Sequence, residues 1–393
     1  MPRAGSHIPE VLKSFATCNL IWLHHFVLRH HGCPEETLER FAVGADYRSR
    51  LLALEHPACP PETLKASANA ADAMVRETVA ANESCPPEIL RLLAGDVDEK
   101  VRGAVARNRA TPYTVLQDLA SDRNLLVLRR LASNPYLPKS VFLELEAAGE
   151  TVLFEEMASN PGLPAYSLLW MSALKIKSIA EAILLNPRTT PVAIARLASR
   201  FKNNSRILAR AARHNNCPER LLAGLAADPA STVRSSAASN PVCKQTLLFE
   251  LAKDESTEVR EAVAGNPKAP FSMLCMLACD SRDSVRAQVA SNPATPPQML
   301  ASLTGDSNYR LRSRLAKNPG CPPGAIKPLL TEGYRTTRFR ALVHPNCNAG
   351  VVESTAKEIC FSQITFDPTA LSDLAHHPGF PPFLRTMLYV RCG

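Results

Sequence analysis

The sequence predicts an all-α fold, a solenoid of short helix pairs, on three observations. Asn or His with a proline close behind recurs at a nearly constant interval, 32 prolines punctuate an Ala- and Leu-rich chain, and aromatic residues make up only 6% of it. So many prolines are incompatible with long helices and tolerable only where they separate short ones. So few aromatics suit thin helical layers better than a broad sheet core. A chain of 393 residues would otherwise divide into two or three globular domains, but a repeat array is exempt from that count.

The anchors are His30, His56, Asn82, Asn108, Asn134, Asn160, Asn186, His214, Asn240, Asn266, Asn292, Asn318, His344 and His377. Their numbers rise in steps of 26, except for a step of 28 to His214 and one of 33 to His377. Such a period is the signature of a repeat array. Counted from the anchor, as in NESCPPEILRLLAGDVDEKVRGAVAR (Asn82 to Arg107), proline falls at +4 and often +5, apolar side chains at +8 and +11, Asp at +14, Val at +19, Arg at +20 and apolar side chains at +23 and +24.

Proline at +4 or +5 followed by acidic and apolar residues reads as the first turn of a short helix, where a missing N–H costs nothing and acids suit the positive helix end. A second helix starts near the Asp and runs to the next anchor, with the side chains at +19 and +23 one turn apart on a buried stripe. Asn before Pro leaves the helix, because that position tolerates non-helical backbone and its side chain satisfies a free backbone group. Each pair has one apolar face that it cannot bury alone, so neighbours stack.

The string VREAVAGNPKAPFSMLCMLACD, Val259 to Asp280, resembles the leucine-rich repeat variant family of bacteria, and the resemblance extends from residue 30 to roughly 390. It implies a right-handed superhelix in which α-helices alternate with 3₁₀-helices, the latter in the proline-bracketed half of each repeat. Founding members also carry a small cysteine-rich iron–sulfur module before the repeats. Ahead of the first anchor this chain holds only Cys18, so that module is not carried over. The Asp-to-Arg spacing and the VRxxVA string are also similar to HEAT repeats.

The expected organisation is one continuous solenoid of about fourteen repeats: an N-terminal helical cap at 1–29, tandem repeats over 30–376 with irregular stretches at 134–213 and 344–376, and a C-terminal cap at 377–393. Open solenoid ends need covering. Trp22, Leu23 and Phe26 are expected to cover the first repeat.

Four His-x-x-Cys pairs, beginning with His30 and Cys33, suggest metal sites at first reading. Seven of the 12 cysteines, Cys33, Cys59, Cys85, Cys217, Cys243, Cys321 and Cys347, fall at +3, where other repeats have Thr, Leu, Ala or Phe. A slot open to all of these is a packing slot. Equivalent atoms in adjacent layers lie roughly 8–10 Å apart, too far to share a zinc ion whose bonds are about 2.0–2.3 Å. The anchor histidines stand where other repeats have Asn and read as capping groups, since a general base is not distributed over equivalent positions. The +20 arginines could track a phosphate backbone. Six of them are matched by an acid six residues earlier, as Arg234 by Asp228, so pairing within the repeat or with the next repeat's acid is the better reading. No phosphate-cradling glycine loop, nucleophile elbow or helical metal motif is present.

Two departures from the pattern carry the functional candidates. Leu128, Phe154 and Ala180 replace the ladder arginine, Ala148 and Leu174 replace the acid, and Trp170, Tyr166 and Met171 lie in the same stretch. It reads either as a locally drier core or as an exposed apolar patch for a partner. Residues 188–220 hold Arg188, Arg196, Arg200, Lys202, Arg206, Arg210, Arg213 and Arg220 against Glu219 alone, and counting from Asn186 puts Arg206 on the ladder position opposite Arg200. Arg206, Arg210 and Arg213 share a helix face. This is either a solvated basic face or a contact for an acidic protein or nucleic acid. Arg335, Arg338 and Arg340 form a shorter basic run.

The apolar run after Cys18 is too short and too broken by His24 and His25 for a signal peptide, and no stretch reaches the roughly 20 apolar residues of a membrane span. The expectation is a cytoplasmic, non-catalytic protein-binding scaffold with no cofactor or metal and no membrane contact. Its partner surface is drawn from Trp170, Arg196, Arg200, Lys202, Arg206, Arg210 and Arg213. The alternative is a HEAT-like nucleic-acid binder, related in manner to DNA glycosylases, using the basic stretch at 188–220.

Overall fold

The computed structural model describes residues 8–17, 20–348 and 350. After two N-terminal helices, Ile8–Thr17 and Ile21–Arg29, come twelve helix pairs, from Glu35–Ala42 with Tyr47–Glu55 to Pro323–Leu329 with Arg335–Leu342. All described regular structure is helical. The chain forms two compact halves, one up to Arg196 and one from Leu197, and each is a stack of these pairs. The expected C-terminal cap, the His377 anchor and most of the irregular 344–376 stretch lie outside the described residues.

Proline sets the first helix of each pair. In the repeat beginning at Asn82, Pro86 is the N-cap (φ −60°, ψ 144°) and Pro87 the first helical residue. Both tolerate a fixed φ, and the N–H that proline lacks has no intrahelical partner at a helix start. The helix ends at Leu93 after seven residues and buries Ile89, Leu90 and Leu93. These segments are therefore short α-helices rather than the 3₁₀-helices the resemblance implied. The one described 3₁₀ helix, Leu303–Gly305, follows such a helix instead of replacing it.

The second helix begins later than its Asp suggests. Asp96 lies in the turn, where its Oδ1 accepts from the Asp98 N–H at 2.9 Å, and Asp98 caps the helix Glu99–Arg107 by accepting from the Lys100 N–H at 2.8 Å. Short acidic side chains favour both turn and cap because they bond backbone two residues on. Within each half, second helices of consecutive repeats pack directly on one another, so Val101 and Gly103 to Ala106 are all buried.

The anchor does more than end its own helix. The Asn82 Nδ2 donates to the carbonyls of Leu54 (2.7 Å) and His56 (3.1 Å) of the preceding repeat, while its Oδ1 accepts from the Ser84 N–H at 2.7 Å. Asn108, Asn134, Asn160 and Asn266 repeat these three bonds, and each is buried. One acceptor, as at Leu54, is a carbonyl that the helix end leaves unbonded, and the other, as at His56, also accepts from the turn that follows it, so the amide ties its layer to the one before. Histidine does the same with one donor fewer. The His56 Nδ1 accepts from the Ala58 N–H at 3.0 Å, which leaves Nε2 to carry the proton and donate to the His30 carbonyl at 3.2 Å.

At the N-terminus Leu12, Ala16, Val27 and Leu28 turn inward, whereas Trp22 is 65% and Phe26 54% exposed and Leu23 is half-buried. This corrects the expected covering role of Trp22, Leu23 and Phe26. The helix Ile21–Arg29 is apolar on most of its circumference, so composition did not choose its inner face.

Candidate interaction surface

Six of the ladder arginines are fully engaged. The Arg234 Nε and Nη2 donate to Asp254 of the next repeat at 2.7 and 2.9 Å, and its Nη1 donates to the backbone carbonyl of Asp228 in its own turn at 3.0 Å. Arg234 therefore clamps its own turn and the neighbouring acid together, at 12% and 10% side-chain exposure. The hydrogen bond from Arg234 holds Asp254 below the usual carboxylate range, against burial, which pushes it up. Arg76–Asp96, Arg102–Asp122, Arg260–Asp280, Arg286–Asp306 and Arg312–Glu332 have the same arrangement. A guanidinium with all its donor edges engaged is not offered to a ligand.

Between these runs the ladder is replaced by apolar packing. Phe154 is buried and meets the half-buried Trp170 edge-on at 5.2 Å and 90°, a favourable aromatic geometry. Where Ala148 has no carboxylate to hold the turn, Gly149 takes φ 72°, a conformation that side chains resist. The exposed apolar residues of this stretch, Tyr136, Leu143, Val152, Tyr166 and Leu185, occupy five different repeat positions.

The two-residue insertion is absorbed by a longer first helix, Pro191–Arg200, and the turn before Asn204. The second helix, Ser205–Arg213, consequently brings Leu208, not Arg206, to the ladder position, six residues before its anchor as Arg102 is before Asn108. This corrects the count from Asn186. Leu208 is buried, and Arg206 stands at the exposed position that Lys100 holds in its repeat.

The expected site residues differ in their surroundings. Trp170 is drawn into packing, and the Arg196 Nη1 donates to the Leu169 carbonyl (2.8 Å) and to Ser172 Oγ (3.4 Å), both in the half that ends at Arg196. In the other half Arg200 and Lys202 are exposed before the second helix. Arg206 and Arg213 are exposed along the helix and Arg210 is half-buried, opposite the buried Ile207, Leu208, Ala211 and Ala212.

One surface was not singled out by the sequence reading. A groove of about 590 Å³ runs between the second helices Asp283–Ser291 and Tyr309–Leu315, lined by Asp283, Ser284, Ala287, Asn308, Tyr309, Arg310 and Arg314 among others. Tyr309 stacks on the exposed Tyr334 of the next repeat at 4.0 Å, and the Arg310 guanidinium lies 5.8 Å from the Tyr309 ring centre. Arg314 donates to Gln288 (2.8 Å) and Ser291 (3.5 Å), and Arg340, its equivalent one repeat on, donates to Ser313. Neither is in ion-pair contact with a carboxylate among the described residues. The legible signal was Tyr at neighbouring positions of successive repeats, beside Arg314 and Arg340 at one position of those same repeats.

The +3 cysteines line the packing slot. Burial pushes the Cys33 and Cys217 thiols up to about 11 and that of Cys85 up to about 12, away from the thiolate form that reacts or binds metal. No described helix is long and apolar enough to cross a membrane.

Residues 284–308, of which Ser284, Ala287, Ser307 and Asn308 line this groove, match the family described as leucine rich repeat variant. Among solved structures the chain is similar to "a leucine-rich repeat variant with a novel repetitive protein structural motif", at 21% identity over 64% of this chain and 88% of that one, with a TM-score of 0.34. It is similar to Kap121p at 11% identity over 96% of this chain and 51% of that one (TM-score 0.32), and to importin beta at 10% over 96% and 65% (TM-score 0.33). No curated protein matches it in sequence.

Proposed function

We propose that this chain, an array of repeats resembling the leucine-rich repeat variant family, is a non-catalytic scaffold that binds protein partners on the exposed positions of its second helices. The observation that carries this reading is the division of labour among polar groups. Buried Asn and ladder Arg side chains are consumed in joining one repeat to the next, as at Asn266 and Arg260. Exposed second-helix residues such as Lys100, Arg206, Ser284 and Arg310 instead vary from repeat to repeat. A constant frame with a varied face is how solenoids display binding surfaces. Buried unpaired thiols such as Cys33, Cys59 and Cys85 suit a reducing compartment, the cytoplasm.

The test is affinity capture with the full chain, comparing wild type with charge reversals at Arg310 and Arg314 and at Arg200, Arg206 and Arg210. A defined partner retained by wild type and lost from one set is the expected result. Retention of no protein by any form removes the scaffold reading.

A second reading, nucleic-acid binding, rests on the basic run at 188–220, which carries eight Lys and Arg against Glu219. It requires binding to DNA or RNA that weakens steeply with salt. No binding at low salt eliminates it.

A further inference from the structure

We propose that the surface running from the groove between Asp283–Ser291 and Tyr309–Leu315 across to the next second helix, Arg335–Leu342, takes an extended acidic peptide segment of a protein partner. Its carboxylates, about three residues apart, meet Arg314 and Arg340, and an apolar side chain lies against the Tyr309–Tyr334 shelf. This inference rests on the scaffold reading and gives its partner a chemistry.

Charge complementarity selects the ligand. Residues 306–343 contain eight Lys and Arg against Asp306 and Glu332. Both acids already belong to the ladder, bound by Arg286 and Arg312. Among the described residues Arg314 and Arg340 donate to neutral groups, Gln288, Ser291 and Ser313, and neither meets a carboxylate. A carboxylate gains more from an arginine than a neutral acceptor does, because the bond is charge-assisted and bidentate.

The repeat supplies the spacing. Arg314 and Arg340 are equivalent positions of adjacent layers, which lie roughly 8–10 Å apart, and an extended chain advances about 3.3–3.6 Å per residue. Acids three residues apart therefore reach both.

Two observations favour a peptide over a single-stranded nucleic acid. Bases need an open ring face. One face of Tyr309 is covered by Tyr334 and Arg310 lies over its ring, so Tyr309 is a shelf edge rather than a stacking platform. Asp283 also lines the groove, held by the Asn308 amide. Its second acceptor oxygen suits the backbone N–H groups of a peptide, which a sugar–phosphate backbone lacks.

The experiment uses the full chain and fluorescein-labelled dodecapeptides read by anisotropy: one with Glu at every third position and a central Phe, one of the same composition with its Glu clustered at one end, and one with Lys replacing Glu. Labelled oligo-U and oligo-dT are the nucleic-acid probes. The spaced acidic peptide binds best, and Arg314→Glu with Arg340→Glu weakens it at least about tenfold, while Arg200→Glu with Arg206→Glu does not. Arg314→Gln, with unchanged circular dichroism, shows an intermediate loss and separates recognition from folding. Absence of binding by the spaced peptide, equal affinity in the reversed variant, or tighter oligonucleotide binding lost on the same substitutions overturns the proposal. If wild type retains a protein partner that Arg314→Glu does not disturb, this assignment fails and the scaffold reading stands.

Discussion

The repeats from Arg234 to Glu332 and those carrying Leu128, Phe154 and Ala180 solve one stacking problem with opposite chemistry. The first set joins layers with an arginine clamp on the next repeat's acid, as Arg260 on Asp280. The second removes both charges and packs Phe154 on Trp170. The asparagine ladder passes through both without change: Asn160 bonds Ala132 and Asn134 as Asn266 bonds Ala238 and Asn240. The amide ladder is therefore the constant requirement of this fold and the ion pair a replaceable one. A buried amide meets helix-end carbonyls that every layer presents, whereas the clamp answers to two side chains that can be lost together.

Substitutions break this comparison in graded ways. The largest effect is expected at Phe154→Ala, about 3–5 kcal/mol from lost packing and a residual cavity, with little dependence on pH in urea unfolding. Asn160→Ala and Asn266→Ala follow at about 2–3 kcal/mol each, since a buried carbonyl and an N–H lose their partner and a second carbonyl loses one of two. Similar losses in the two regions support a uniform ladder, and a difference of several-fold breaks it.

Arg234→Met is expected to cost about 2 kcal/mol at neutral pH by leaving Asp254 buried without its charge-assisted partner. The carboxyl of Asp254 is depressed in the folded chain, so its contribution is present above the ordinary carboxylate pKa of about 3.9 and is lost as pH falls through the lower folded value. The stability gap between wild type and Arg234→Met should shrink under acid, while the gap for Phe154→Ala persists. Unfolding curves at neutral and acidic pH check both.

The fold was legible because proline and the anchors repeat with the helix pairs themselves: Pro86 and Pro87 open a first helix where the sequence placed it. What periodicity could not supply was the direction of each bond. It left Arg234 to pair either with Asp228 or with the next repeat's acid, and the second holds: Arg234 takes only the backbone of Asp228 and gives its charge to Asp254 in the following repeat. A count from the preceding anchor also carried Arg206 to the ladder, because sequence does not say on which side of a turn two inserted residues are absorbed. Of the expected site residues, Arg200, Lys202, Arg206 and Arg213 are exposed, while Trp170 and Arg196 are turned to neighbouring repeats. The Tyr309 groove escaped notice because it is assembled from side chains of successive repeats, each ordinary within its own repeat.

The central claim is that the arginines divide into those that hold repeats together and those left for recognition. Side-by-side urea unfolding of Arg260→Glu and Arg314→Glu tests it most directly. The account predicts a clear drop in midpoint for Arg260→Glu, which sets two buried acids against each other, and a change within about 0.5 kcal/mol for the exposed Arg314→Glu. Equal destabilisation by the two would contradict the division.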